Sequence, residues 1–254
     1  MRKIAIYPLN RVLLKESSKK TPVLEALMNA SLQNCRSLSE LWRYVGDLNK
    51  THFSDNNLMP IVGGGQAANP KVMFVFINPT ARNISSDPNW KGPRYPFIGT
   101  KSVWRVFHRA GFLTDSLISR IEENSGWSVE FADELKGFLR ERGLYLTNLV
   151  KWTGPDGSLP DRNKINIFMP LLIREVEIVS PKYLVTFGSI PFKYLTGKTI
   201  TLGDYYDQVV RRGLRSEEMR IGSARTEVIP CYFPVGRGNP QRAVEILKLV
   251  NLLN

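Results

Sequence analysis

Apolar residues follow two rhythms along the chain. Short, nearly unbroken runs occupy Val72–Ile77, Leu144–Val150, Tyr183–Phe187 and Glu227–Phe233. Runs of that length, rich in Val, Ile, Phe and Tyr, read as strands covered on both faces. Between them the spacing lengthens to three and four residues. Leu24, Leu27, Met28, Leu32 and Cys35 recur in this way behind Thr21-Pro22, and Ser39–Leu48 predicts a second short helix. Val103, Trp104 and Phe107 share one face of a predicted helix over Thr100–Ala110. Ile165, Phe168, Leu172, Val176 and Val179 share a face over Asn163–Val179. Ser189–Leu195 reads as a short helix. The last helix opens at Pro240 behind an Asn239 cap and carries Ala243, Ile246, Leu247 and Val250 inward. Strands alternating with helices predict an α/β fold, a three-layer α/β/α sandwich around a central, mostly parallel four-stranded sheet. Pro60–Asn69 and Ala81–Gly99 read as loops. The stretch holding Arg211, Arg212, Arg215, Glu217, Glu218, Arg220 and Arg225 reads as an exposed excursion. Residues 1–254 are expected to form a single domain. Its first twenty residues form a basic N-terminal arm, either mobile or packed on the body as a small strand.

Composition narrows the class. The chain has 254 residues, 43% of them hydrophobic, enough for a sizeable core. Its two cysteines exclude a disulfide framework and a four-cysteine metal site. No run approaches the roughly 20 apolar residues that span a bilayer. The charged N-terminus predicts no secretion signal, and so a cytoplasmic, nucleoid-associated protein. Lys plus Arg exceed Asp plus Glu by 35 − 23 = 12. A polyanion partner, nucleic acid, is the simplest reading of that excess. A basic surface serving solubility or an anionic membrane is the alternative.

In a parallel sheet the carboxyl ends of the strands open on one edge, where ligands bind in such folds. The loops there carry Asn78-Pro79-Thr80, Asn148 with Lys151, Gly188-Ser189, and Phe233-Pro234-Val235-Gly236-Arg237-Gly238-Asn239. Asn148 sits inside a strand, where its amide must find a partner. That partner is either neighbouring backbone or the polar edge of a ligand, since Asn both donates and accepts. Phe97, held behind Pro96, either stacks on a planar ligand or plugs the core beneath its loop. Gly236 and Gly238 flank Arg237, so the loop either presents a cation for a DNA groove or simply feeds the next helix. His52 and His108 carry no partner pattern and read as structural or solvent-facing.

Read together, these segments resemble the uracil-DNA glycosylase superfamily, nearest its family-4 branch. PIVGGGQAANPKVMFVFINPT resembles the glycine-bearing loop and first catalytic strand. YPFIGTKSVWRVFHRAGF resembles the segment whose Phe stacks on the flipped base. LYLTNLVKW resembles the strand whose Asn reads the base edge. SPKYLVTFGSIPFKYL resembles the third strand, and VIPCYFPVGRGNPQRA the motif ending in a DNA-inserting loop. The likeness runs from about residue 22 to 250. Two positions depart from the family-4 pattern. Ile77 stands where an acid is usual, and Asn78 instead matches the mismatch-specific branch. Phe233 stands where His or Asn is usual. The branch also holds an iron–sulfur cluster on four cysteines, of which only Cys35 has a counterpart here. Leu38, Trp152 and Phe168 stand at the other three positions, which implies no metal, no cofactor and an apolar plug instead.

The resemblance implies a monofunctional DNA glycosylase that excises uracil or another deaminated base. Asn78 would orient the attacking water. Ile77, Phe97, Asn148 and Phe233 would line the base site, and Lys151, Ser189, Gly236, Arg237 and Gly238 would meet the DNA. The partner would be damaged DNA, single- or double-stranded, bound by a monomer. A non-catalytic binder of damaged DNA on the same fold is the alternative. An unrelated α/β nucleotide enzyme would need a phosphate fingerprint, yet Gly63–Gly65 precede a strand rather than join a strand to a helix.

Overall fold

The computed structural model describes residues 5–6 (as backbone), 31–53, 56–124, 126–222, 224–236 and 238–253. The strands are β1 (Ala5–Ile6), β2 (Gly64–Gly65), β3 (Val72–Phe76), β4 (Leu144–Asn148), β5 (Tyr183–Phe187), β6 (Glu217–Ile221) and β7 (Ala224–Cys231). The helices are α1 (Leu38–His52), α2 (Ser102–Arg109), α3 (Asp115–Glu123), α4 (Val129–Glu141), α5 (Arg162–Val179), α6 (Ser189–Thr196), α7 (Leu202–Arg212) and α8 (Pro240–Asn251).

The strands form one seven-stranded mixed sheet in the order β1-β6-β7-β5-β3-β4-β2. Its centre, β7-β5-β3-β4, is parallel throughout, as the apolar runs predict. The edges are where the structure adds to the sequence reading. β2 pairs antiparallel with β4, and β6 pairs antiparallel with β7. The expected excursion around Glu217 is therefore a strand, stabilised by ladder bonds rather than by an apolar pattern. Ala5 and Ile6 run parallel to β6, so this part of the basic arm takes its strand alternative. The rest of the arm, and the helix expected behind Pro22 up to residue 30, lie outside the described residues.

Every residue of β3, β4 and β5 is buried, because helices cover both faces. On one face Val72, Phe74, Phe76, Val185 and Phe187 pack against α2, α3, α4, α7 and α8. On the other, Met73, Val75, Tyr145 and Leu184 pack against α1, α5 and α6. Local signals set the helix starts. Ser37 caps α1 in a reciprocal box with Glu40, and Asp161 caps α5 by accepting from Lys164 N at 2.8 Å. Asn239 caps α8, which opens on Pro240 as predicted.

The chain passes from β3 to β4 on one side and returns to β5 on the other side of β3. The topological switch point thus lies between the carboxyl ends of β3 and β5, where a crevice opens in such sheets.

Candidate active site

Asn78 stands two residues past the end of β3. The β3–β4 pairing continues beyond the strands: Leu149 N donates to Phe76 O, Val150 N to Ile77 O, and Gly154 N to Pro79 O. This ladder fixes the backbone on both sides of Asn78. The Asn78 side chain is half-buried, and its Nδ2 donates to the Pro79 carbonyl at 3.2 Å. Its Oδ1 accepts no hydrogen bond among the described residues, so the acceptor end stays open. A Cβ on Gly154 would lie 3.4 Å from the Asn78 amide nitrogen, so glycine at 154 leaves the amide its room.

Asn148 is the register partner of Phe76 and is 1% exposed. Its Nδ2 is buried and has no hydrogen-bond partner among the described residues. Leaving such a donor unpaired costs about 1–3 kcal/mol. An orphaned donor at the carboxyl end of a central strand is what a polar ligand would satisfy. The side chain shares the sheet face of Phe76, whose ring stacks on Phe187 at 4.4 Å. Phe97 meets Phe76 edge-on at 4.5 Å and Phe233 meets it at 6.4 Å. Asn148, Phe97 and Phe233 therefore gather around one aromatic floor.

Phe97 has φ 72, a left-handed conformation that strains a bulky residue. The surroundings over-determine it. Its carbonyl accepts from Thr100 N at 3.2 Å, Thr100 Oγ1 at 3.1 Å and Trp104 Nε1 at 3.1 Å. Upstream, the buried Asn83 donates to Tyr95 O at 2.8 Å and accepts from Ser85. Arg94 donates to the carbonyls of Ser85, Asp87 and Trp90. The Ala81–Gly99 connection is thus a built loop that holds its ring in place.

In the last loop Gly236 has φ 61, and a Cβ on Gly238 would fall 1.8 Å from the Phe233 carbonyl oxygen. Both glycines are required by the turn itself. Arg237 lies outside the described residues. Arg242 anchors the base of this loop: it donates to the Tyr232 hydroxyl at 2.8 Å and lies over Tyr206 at 4.5 Å. Ile77 is half-buried, with its Cδ1 3.7 Å from where a Gly188 Cβ would be. Ser189, the first residue of α6, is exposed beside it.

Lys151 departs from the expected DNA contact. Its side chain is fully buried on the opposite sheet face and bonded to Thr147 Oγ1, the Asn148 carbonyl and Glu175. No phosphate can reach it. Burial lowers its pKa, and Glu175 opposes that shift. The sequence reading overlooked Glu175. It falls between Leu172 and Val179 on the inward face of α5, and an acid in such a stripe signals a buried partner.

The positions that would hold an iron–sulfur cluster do not fit one. Cys35, Trp152 and Phe168 are buried together in one apolar cluster, with Leu38 packed against it. Cys231, the other cysteine, belongs to the core on the other face of the sheet. One thiol among carbon atoms offers no ligand set.

A family model described as the uracil DNA glycosylase superfamily matches residues 62–250. A type-4 uracil-DNA glycosylase from Sulfurisphaera tokodaii is 28% identical over 101 residues, which is 40% of this chain and 44% of the relative. The alignment therefore spans less than half of that relative's length. The family match takes in the first strand motif, the Phe97 loop, both asparagines and the last loop. The chain belongs to the uracil-DNA glycosylase superfamily.

Proposed function

We propose that the protein is a monofunctional DNA glycosylase that flips a uracil or another deaminated base out of DNA and hydrolyses its N-glycosidic bond. The observation that carries this reading is the orphaned amide of Asn148, buried at the carboxyl end of β4 beside Phe76, the ring against which the strained Phe97 packs. An everted base supplies what that amide lacks. Its carbonyl oxygen accepts from Nδ2 while its face lies against Phe97; stacking of this kind contributes about 1–3 kcal/mol.

Bond breaking leaves positive charge on the sugar and negative charge on the base. The Asn148 donor stabilises the base as that charge grows. Asn78 presents its open Oδ1 to a water beneath the sugar carbon. An amide takes no proton near neutrality, so Asn78 orients the water, which attacks an already cationic carbon. Phe233 offers no hydrogen bond to the leaving base. The absence of one such donor costs about 2.7–4 kcal/mol of transition-state stabilisation. Slow turnover, or a substrate whose base leaves more readily than uracil, follows. The net charge of +12 supplies salt-sensitive affinity for DNA phosphates. The crevice is left open in a monomer.

The test is a panel of oligonucleotides bearing uracil, hypoxanthine, xanthine or mismatched thymine, treated with protein and then alkali. Strand cleavage is expected at one or more lesions, with Asn78→Ala, which leaves the water unoriented, reducing it by about 10² or more. Absence of product across the panel overturns the reading. The apolar Ile77 and Phe233 favour a second reading, a non-catalytic binder of damaged DNA. Tight lesion-specific binding without product would select it.

A further inference from the structure

Lys151 has no role in the chemistry above, yet its surroundings are unusually demanding. Its side chain and that of Glu175 are both 0% exposed and form an ion pair at 2.5 Å. Such a pair is weak evidence of a stabilising device, because apolar residues of similar volume often hold two elements together as well. The geometry suggests a different task. The ammonium has three protons to donate. One goes to the Asn148 backbone carbonyl at 2.5 Å, one to Thr147 Oγ1 at 2.6 Å and one to Glu175 Oε2 at 2.5 Å. Glu175 Oε1 accepts from the Tyr145 hydroxyl at 2.9 Å, so both carboxylate oxygens are engaged. A Cβ on Gly63 would fall 2.1 Å from the Tyr145 hydroxyl oxygen and 2.5 Å from Glu175 Oε1. Only glycine at 63 lets its loop close over this network. The Ile61 N–H donates to the Lys151 carbonyl at 3.0 Å and seals the other side.

Tyr145 and Thr147 face the α1/α5 layer, whereas the Asn148 side chain faces the opposite one. There its Nδ2 has no hydrogen-bond partner among the described residues. The peptide unit between Asn148 and Leu149 is held at both ends: the Leu149 N–H donates to Phe76 O at 2.8 Å, and the Lys151 ammonium donates to the Asn148 carbonyl.

We propose that Lys151, itself fixed by Glu175 and Tyr145, is a positioning residue for the base-reading amide. Its grip on the Asn148 carbonyl from the far side of the sheet sets the angle at which the carboxamide meets the base. The inference rests on reading Asn148 as the residue that contacts the base. It gives a buried charged trio a task in recognition rather than in stability.

The test combines Lys151→Met, Glu175→Leu and Tyr145→Phe, which keeps volume and leaves no buried charge unpaired. The combined variant is expected to melt within a few degrees of wild type and to bind undamaged DNA with the same Kd. Its single-turnover excision rate should fall at least tenfold, and adding Asn148→Ala should lower that rate no further. A crystal structure should show the Asn148 carboxamide displaced. A folded variant with wild-type excision, full additivity with Asn148→Ala, or an unmoved carboxamide each overturns the proposal. Should wild type excise no base, the glycosylase reading falls by itself, and the position of the carboxamide in the variant crystal still decides the role of Lys151.

Discussion

Position 233 offers the sharpest residue-scale experiment. Its ring packs edge-on against Phe76 at the rim of the proposed base site. A histidine there keeps a ring of similar shape and adds an N–H beside the leaving base. Phe233→His is expected to raise the single-turnover excision rate at least tenfold, read by gel on a uracil oligonucleotide. An unchanged rate would mean that another group already serves the leaving base. Phe76 is a poorer probe, since removing a buried ring costs about 3–5 kcal/mol of stability. At this scale the sequence was informative where a residue type conflicted with its setting. An Asn inside a strand and a Phe behind Pro96 both invited a functional reading. Lys151 defeats the sequence reading because a lysine three residues past a strand end is ordinarily at the surface. Its partner Glu175 lies 24 residues on, and although an acid on the inward stripe of α5 signals a buried partner, nothing in the sequence says that the partner is Lys151.

Helix α5 carries the element-scale prediction. Asp161 caps it, and the Lys164 backbone N–H, followed by the Lys164 side chain, holds the Asp161 carboxyl below the usual range against the opposing effect of partial burial. A carboxyl with a depressed folded pKa contributes stability above its unfolded pKa of about 3.9 and loses it as pH falls through the folded value. Asp161→Ala should cost about 1 kcal/mol at neutral pH. The gap in Tm between wild type and Asp161→Asn, which keeps an acceptor but no charge, should close as pH is lowered from about 6 to 2. A gap that persists at acid pH would mean the charge contributes nothing. Elements with an unbroken apolar run or a capped periodic stripe were legible, as Tyr183–Phe187 and the Pro240 helix illustrate. Helices α3 and α4 lie within the β3–β4 crossover and α7 within the β5–β6 connection, each a further helix that simple strand-to-helix alternation does not predict. Strand β6, which lies between the two-residue β1 and β7, is hidden in the sequence for a physical reason: its exposed Arg220 and half-buried Glu217 mask its period.

For the molecule as a whole, charge and layering are the governing quantities. On the proposed function, a net charge of +12 predicts a steep dependence of DNA affinity on salt. If about four phosphates are neutralised, affinity for undamaged duplex should fall roughly a hundredfold between about 50 and 200 mM salt, measured by fluorescence anisotropy. A shallow slope would point to binding driven by other contacts. The α/β/α layering was readable from the sequence because doubly covered strands have no polar face. The two edges of the sheet were not, because there a ladder bond replaces the apolar signal. The layering also separates the two thiols. Cys35 lies with the α1/α5 layer and Cys231 with the α8 layer, both buried and both with pKa raised by desolvation. No native-state oxidation can join them. A maleimide added to the folded protein then works as a pair of clocks, one for the opening of each side of the sheet. Equal labelling rates would mean the layers come apart together, and unequal rates would name the side that loosens first.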